Sequence, residues 1–380
     1  MASPSLPPPP EDLKKTCRMR QKDGYMTAHS ERNAIALHHP IFVTYFFTVL
    51  IIQNDEFRHV DFCDIEHYRA CLPTHEQLTA HGITVLNPKD DTFVLLKDGN
   101  FLSARPEGTF GFANKANWWE EFRRLSSIPF KFVQEKPFSP HIPHIIHQTD
   151  NALHPETGYL ENITSLKTMN KDWEYRYYSE KDRIDFIHTH YGWDVLSIYL
   201  RLNRLYGAAQ ADFFRYLCLY QHGGVYLDMK SGSSRPLSSI IRDDDQFIIS
   251  QWDWSLPQYF EWGKKAELSH IEGGEFPIWC LICAPGHPLM AKVINQLIAN
   301  IFLYTPNLHS TGSVATLKVT GPILFTRVVF NNLNKFDIRM ENILAKGLNP
   351  HMVKNIYRKD QYHEQVLPLV IQSTRVGDTI

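Results

Sequence analysis

The most regular pattern lies between residues 141 and 303, where short apolar runs alternate with longer stretches of helical periodicity. "IPHIIHQ" reads as a buried strand, residues 156–170 as a helix, "WEYRYYS" as a second strand, and residues 180–204 as further helix. "GAAQADFFRYLCLYQHGGVYLDMKSG" (207–232) then reads as helix, tight turn, strand and loop. Ala208 to Tyr220 are good helix residues with an apolar face, and Gly223-Gly224 supplies positive-φ positions that end the helix and turn the chain. Downstream, "QFIISQWDW" and "FPIWCLICAP" predict strands. "PLMAKVINQLIANIF" predicts a helix whose Leu289, Val293, Leu297 and Ile301 recur at four-residue steps. Such alternation predicts an α/β domain with a mainly parallel sheet.

Upstream the pattern changes. "KPFSPHIPHIIHQTD" places three prolines around the start of a new apolar segment and marks a boundary near residue 138. Before it, residues 93–125 hold two short strand-like runs punctuated by Asp98-Gly99 and Glu107-Gly108 at hairpin spacing. The apolar run "IFVTYFFTVLII" (41–52) spans only 12 residues, whereas a membrane-crossing helix needs about 20. Its valine, threonine, tyrosine and phenylalanine favour a β core segment over a membrane anchor. Residues 1–20 begin proline-rich, without an apolar segment behind a basic cluster, and read as a disordered tail. The expected organisation is therefore a tail (1–20), a smaller β-rich domain (21–138) and an α/β domain (139–380).

Composition narrows the function classes. Lysine and arginine total 39 against 41 acids, a formal net charge of -2, which gives no electrostatic reason to expect nucleic acid as a partner. Six cysteines are too few and scattered for a disulfide framework, and the Cys280/Cys283 pair lies in an apolar run that reads as core strand.

Candidate chemistry concentrates in residues 207–232. Asp228 follows "VYL" and falls at the carboxyl end of a strand, where open α/β sheets place their ligands. Asp212 and Arg215 lie three apart on the preceding helix and project from one face. A carboxylate and a guanidinium so placed suit vicinal sugar hydroxyls, and equally form an ordinary surface ion pair.

The run "AQADFFRYLCLYQHGGVYLD" is similar to the signature of glycosyltransferases with a DXD-containing sugar-binding region. That group includes fungal Golgi α-mannosyltransferases, mannosyl-inositol-phosphoceramide synthases and bacterial capsular enzymes. The resemblance extends back through "IPHIIHQT" and "WEYRYYSEKD", and more loosely forward to "CAPGHPLM" and "TGPILFT". It implies a GT-A fold holding a nucleoside-diphosphate sugar, GDP-mannose first and UDP-hexose second, and transfer of the hexose with retention to a glycan, lipid or protein hydroxyl. It implies that Asp212 and Arg215 bind the donor sugar, that Asp228 contacts ribose or sugar beside a metal, that His147, Gln148 and Thr149 border the nucleotide, and that Gly223, Gly224, Thr320, Gly321 and Pro322 shape the pocket. The site is expected in the cytoplasm or on a Golgi membrane.

Position 230 departs from this pattern. The family's second aspartate, which normally ligates Mn²⁺ or Mg²⁺, is Lys230 here, and a protonated amine has no lone pair for a hard cation. Either Lys230 supplies the missing positive charge, or Asp228 binds a metal with help from His363, Asp253 or His309. A catalytically lapsed sugar-binding protein is the rival reading. Trp252, Trp254 and Trp279 are candidates for stacking on a base or sugar, with core packing the competing role.

Overall fold

The computed structural model describes residues 40–89, 92–125, 133–353 and 365–371. Its first part is an eight-stranded sheet with every pairing antiparallel. The strands are β1 (Ile41–Val43), β2 (Thr48–Gln53), β3 (Glu56–Asp61), β4 (Thr84–Lys89), β5 (Thr92–Lys97), β6 (Asn100–Ala104), β7 (Phe110–Ala113) and β8 (Glu121–Leu125), with helix α1 (His75–Ala80) before β4. The run 41–52 is thus strand, buried at almost every position. Asp98 (φ 49) and Gly99 (φ 78) make the left-handed turn that joins β5 to β6.

The second part alternates as its periodicity predicts: β9 (Ile145–Thr149), α2 (Thr157–Met169), β10 (Glu174–Tyr178), α3 (Glu180–Tyr199), α4 (Gly207–His222), β11 (Gly224–Leu227), β12 (Gly232–Ser233), β13 (Phe247–Ile249) and β14 (Cys280–Cys283). Helices α5 (Pro288–Leu303), α6 (Pro306–His309), α7 (Gly312–Val319) and α8 (Pro322–Phe330) follow, then β15 (Arg339–Met340) and β16 (Leu348–Asn349). Ser179 and Asp182 cap the start of α3 reciprocally, and Gly192 (φ 71) breaks that helix midway. The expected mainly parallel sheet is instead mixed. In the strand order β10-β9-β11-β14-β13-β15, the β10/β9, β9/β11 and β13/β15 pairs are parallel and both pairings of β14 are antiparallel. The cause is the long excursion over residues 250–279, which returns the chain as β14 running against β11.

Packing does not stop at residue 138. One apolar core runs from Ile41, Val49 and Phe62 to Leu297 on α5 and Val328 on α8. Gln296 Nε2 donates to the Phe47 carbonyl at 3.1 Å, and Arg327 Nη1 donates to that of Pro106 at 3.0 Å. Lys318 lies 3.1 Å from Glu267 and 3.8 Å above the Tyr45 ring, and burial pulls its pKa down to about 7. All four predicted α5 positions, Leu289, Val293, Leu297 and Ile301, are buried in this core. Cys280 and Cys283 pack on opposite faces of the sheet, and burial raises both thiols, so they behave as core residues.

Among the described residues, His59, His147 and His309 are buried in this fold. Burial lowers His59, His147 and His309 each to about 3. They stay neutral when folded and charge when unfolded, so the stability they contribute is complete above pH 6.5 and is lost as pH falls toward 3. Each should add about 1.4 kcal/mol per pH unit to the slope within that window. His309→Phe, at a ring stacked 4.0 Å from Phe47, should flatten the slope by about that amount in urea titrations between pH 6 and 4.

Candidate functional site

The site begins at the carboxyl end of β11. Gly223 (φ 64) and Gly224 (φ 98) start this strand, and a Cβ on Gly224 would come within 2.5 Å of the Ile145 carbonyl. Such packing seats β11 tightly against β9. The strand is four residues long, so these glycines lie roughly 13 Å from Asp228. They set the strand and do not line the ligand end, contrary to the expectation for a donor pocket.

At the other end, Arg215 gathers two carboxylates. Its Nη2 lies 3.1 Å from Asp212 Oδ1 and 3.0 Å from Asp228 Oδ1. Its Nη1 donates to the Ile278 carbonyl, and the guanidinium sits 4.6 Å from the centre of the Tyr226 ring. Thr320 donates its hydroxyl to Asp212 Oδ2 at 2.9 Å. The side chains of Arg215 and Asp212 are 5% and 7% exposed, while that of Asp228 is 41% exposed. Asp228 therefore presents the arrangement to solvent, and the other two form its floor. This is no surface i,i+3 pair.

The electrostatics follow from that burial. Desolvation raises Asp212 to about 6 although Arg215 and the Thr320 hydroxyl oppose it. Desolvation also works against the Arg215 charge, but Asp228, Tyr226 and Asp212 outweigh it and hold the guanidinium firmly protonated.

Backbone groups aim Asp228. Its N–H donates to the Trp279 carbonyl at 2.8 Å, and its own carbonyl accepts the Ser231 N–H at 2.8 Å. Gln148 Nε2 donates to the same carbonyl at 3.1 Å, and Gln148 Oε1 accepts the Tyr175 hydroxyl at 2.8 Å. Gln148 thus belongs to the site as a support. Met229 turns into an apolar cluster with Tyr159 and Ile163. The Lys230 carbonyl accepts the Val353 N–H at 3.2 Å, and the lysine's charge, after burial, lowers His351.

Several expected site residues lie elsewhere or serve structure. His147 is fully buried, with Nε2 2.9 Å from the Gly223 carbonyl and Nδ1 3.1 Å from the Tyr178 hydroxyl. Thr149 donates to the Tyr178 carbonyl at 2.7 Å and accepts from Arg183 at 2.8 Å. Gly321 is packed so closely that a Cβ would lie 2.8 Å from Leu317 Cα, and Pro322 opens α8. Asp253 is held by Asn342 Nδ2 at 2.8 Å and by Ser255, and His309 is sealed in the core. His363 lies outside the described residues. Arg183, fully buried at the end of β9, was not singled out by sequence reasoning, because a lone arginine in "EKDRID" has no distinguishing pattern.

Among the described residues the donor set does not fit a divalent cation. Among the described residues no three His, Cys, Asp or Glu side chains converge for one. Asp228 is already paired with Arg215, and Lys230 brings an ammonium where an acid would be needed.

Comparison with known proteins agrees with the motif. Residues 157–247 match the family model described as "Glycosyltransferase sugar-binding region containing DXD motif", so the resemblance carried by 209–228 is borne out there. "Inositol phosphoceramide mannosyltransferase 3" of Schizosaccharomyces pombe is 28% identical over 163 residues, covering 43% of this chain and 39% of its own length. "Initiation-specific alpha-1,6-mannosyltransferase" of Candida albicans is 25% identical over 260 residues, covering 61% and 60%. The chain thus spans about two-fifths to three-fifths of the length of these curated relatives. A solved structure, "PaToxG Glycosyltransferase", aligns at a TM-score of 0.37 and 14% identity over 52% of this chain and 72% of that one.

Proposed function

We propose that this chain, whose residues 157–247 carry a DXD-type glycosyltransferase sugar-binding region, transfers a hexose from a nucleoside-diphosphate sugar to an acceptor hydroxyl with retention, on a GT-A-type domain. The observation that carries this reading is the single guanidinium of Arg215 joining Asp212 and Asp228 at the end of β11. Asp228 reaches the ligand, while Asp212 and Arg215 meet its hydroxyls from below. Mannose is the first choice of sugar, because the two relatives described above are mannosyltransferases. A glycan or lipid acceptor is in keeping with the same names.

Bond breaking at the anomeric carbon places negative charge on the leaving diphosphate. A fixed cation beside it lowers the barrier more than a protein nucleophile would. Lys230, two residues beyond Asp228, takes that role where the family pattern has an acid. No step is assigned to a metal, since the described donors do not suit one.

A panel of GDP-mannose and UDP-hexoses, with EDTA or with Mn²⁺, read by released nucleoside diphosphate, tests the proposal. Turnover of any one donor that persists in EDTA is the expected result, and no turnover with any donor would favour a lapsed, binding-only protein. Lys230→Ala should cut turnover about 10²-fold while shifting stability by no more than roughly 0.5 kcal/mol, as for other partly exposed side chains.

As for location, residues 312–330 are long and apolar enough to cross a membrane, but most of this stretch is buried in the fold, as the α7–α8 pair. They are therefore core. A cytoplasmic or Golgi-facing enzyme remains part of the proposal, to be read by fractionation of the tagged protein.

A further inference from the structure

The turn that carries Lys230 follows β11, and its backbone is gripped on two sides. On one, Asn162 of α2 donates its Nδ2 to the Ser231 carbonyl at 2.9 Å and reaches the Met229 carbonyl at 3.5 Å, so a single amide spans the carbonyls on either side of Lys230. On the other, β12 pairs with β16 at Gly232 and Asn349, the Val353 N–H donates to the Lys230 carbonyl at 3.2 Å, and Ser231 Oγ donates to the Pro350 carbonyl at 3.3 Å. Gly232 permits the first contact, since a Cβ there would lie 2.5 Å from Asn162 Oδ1. Met229 and Ser231 are buried, whereas Lys230 between them is half-buried. The clasp therefore fixes the peptide groups from which the lysine side chain springs.

Helix formation does not account for Asn162. Asparagine is a poor residue for a helix interior, and here it is buried with its amide turned onto a neighbouring segment. Glycan attachment does not account for it either. Asn162-Ile163-Thr164 reads as an N-glycosylation sequon, yet the nitrogen that would carry the glycan is occupied by the two carbonyls. Thr164 is exposed and donates its hydroxyl to the Leu160 carbonyl at 2.8 Å, within its own helix. The folded chain uses Asn162 for the turn.

We propose that Asn162 is a positioning residue, which fixes the turn so that Lys230 meets the terminal phosphate of the nucleoside diphosphate. This rests on the transferase reading and on the part it gives Lys230, and adds to it the residue that holds the lysine in place. The test is calorimetric titration of GDP, UDP, GMP and UMP on the full chain, in EDTA and again in Mn²⁺. Asn162→Ala should weaken binding of the favoured diphosphate about tenfold and that of the matching monophosphate by less than about twofold, a split that general loosening of the fold would not produce. Lys230→Ala should show the same split, and the double variant should bind no more weakly than Lys230→Ala, because the amide acts through the lysine. Thr164→Ala, which removes the sequon and keeps the amide, should bind as the wild type does. Should Asn162→Ala fold poorly, Gly232→Ala, which displaces the amide from the other side, carries the same expected split. Equal losses of diphosphate and monophosphate, full affinity in Asn162→Ala or additive losses in the double variant would overturn the positioning role and leave the transferase reading in place. A loss of the same size in Thr164→Ala would do likewise. A wild type that binds neither GDP nor UDP in either condition would overturn both.

Discussion

Replacing Asp212 by asparagine should lower donor turnover by about 10²–10³-fold, the loss typical when one preorganised charged group is removed from a site. Asparagine keeps the shape but not the charge that Arg215 and Thr320 both address. The same change should not weaken the fold. Because the folded carboxyl titrates at about 6 against an ordinary 3.8, it contributes stability fully only below the unfolded value and loses it as pH rises through about 6. Asp212→Asn should therefore lose the fall in stability that the wild type shows across that interval, as measured by urea midpoints at pH 4, 5, 6 and 7. Reduced turnover with undiminished stability at pH 7 separates a functional role from a packing one. Full turnover in this variant would remove Asp212 from the site.

The largest stability effect is expected at Arg183, where substitution by methionine should cost about 3–5 kcal/mol. Its Nε donates to the Tyr199 hydroxyl at 2.9 Å, Nη1 to Thr149 Oγ1 at 2.8 Å and to the Asp150 carbonyl at 2.9 Å, and Nη2 to Asn151 Oδ1 at 2.6 Å. Methionine fills much of the volume but leaves those acceptors facing an apolar chain, at about 1–3 kcal/mol for each buried group left unpaired. The denaturant midpoint with an unchanged m-value is the readout. A loss under about 1 kcal/mol would mean that water takes over the network. Since the residues Arg183 ties down are the turn after β9, donor affinity should fall with stability in this variant.

Much of the architecture was legible because local signals agreed. Residues 157–169, 207–222 and 288–303 carry helical periodicity with punctuation at their ends, and each folds as a helix. The polarity of β14 was not legible. Nothing within "CLIC" encodes direction, which depends on where the 250–279 excursion returns the chain. The joint placement of Asp212, Arg215 and Asp228 followed from a helix, a double-glycine turn and a short strand. Their burial did not, because what covers Arg215 is the Ile278 carbonyl and the Tyr226 ring. His147 misled for a related reason. A histidine on a strand next to the site looks available, yet its ring nitrogens are occupied by a backbone carbonyl and a tyrosine hydroxyl.

The shared interior of the two sheets has a practical corollary for anyone trimming the protein to its second part. A fragment starting at residue 139 would retain every member of the carboxylate–guanidinium arrangement, yet shed Phe47, Val49 and Phe62, which cover one flank of α5 and α8. It would present a raw, greasy face to water. Expressed alone, such a piece should clump, and its silence in an assay would say nothing about the chemistry of the intact chain.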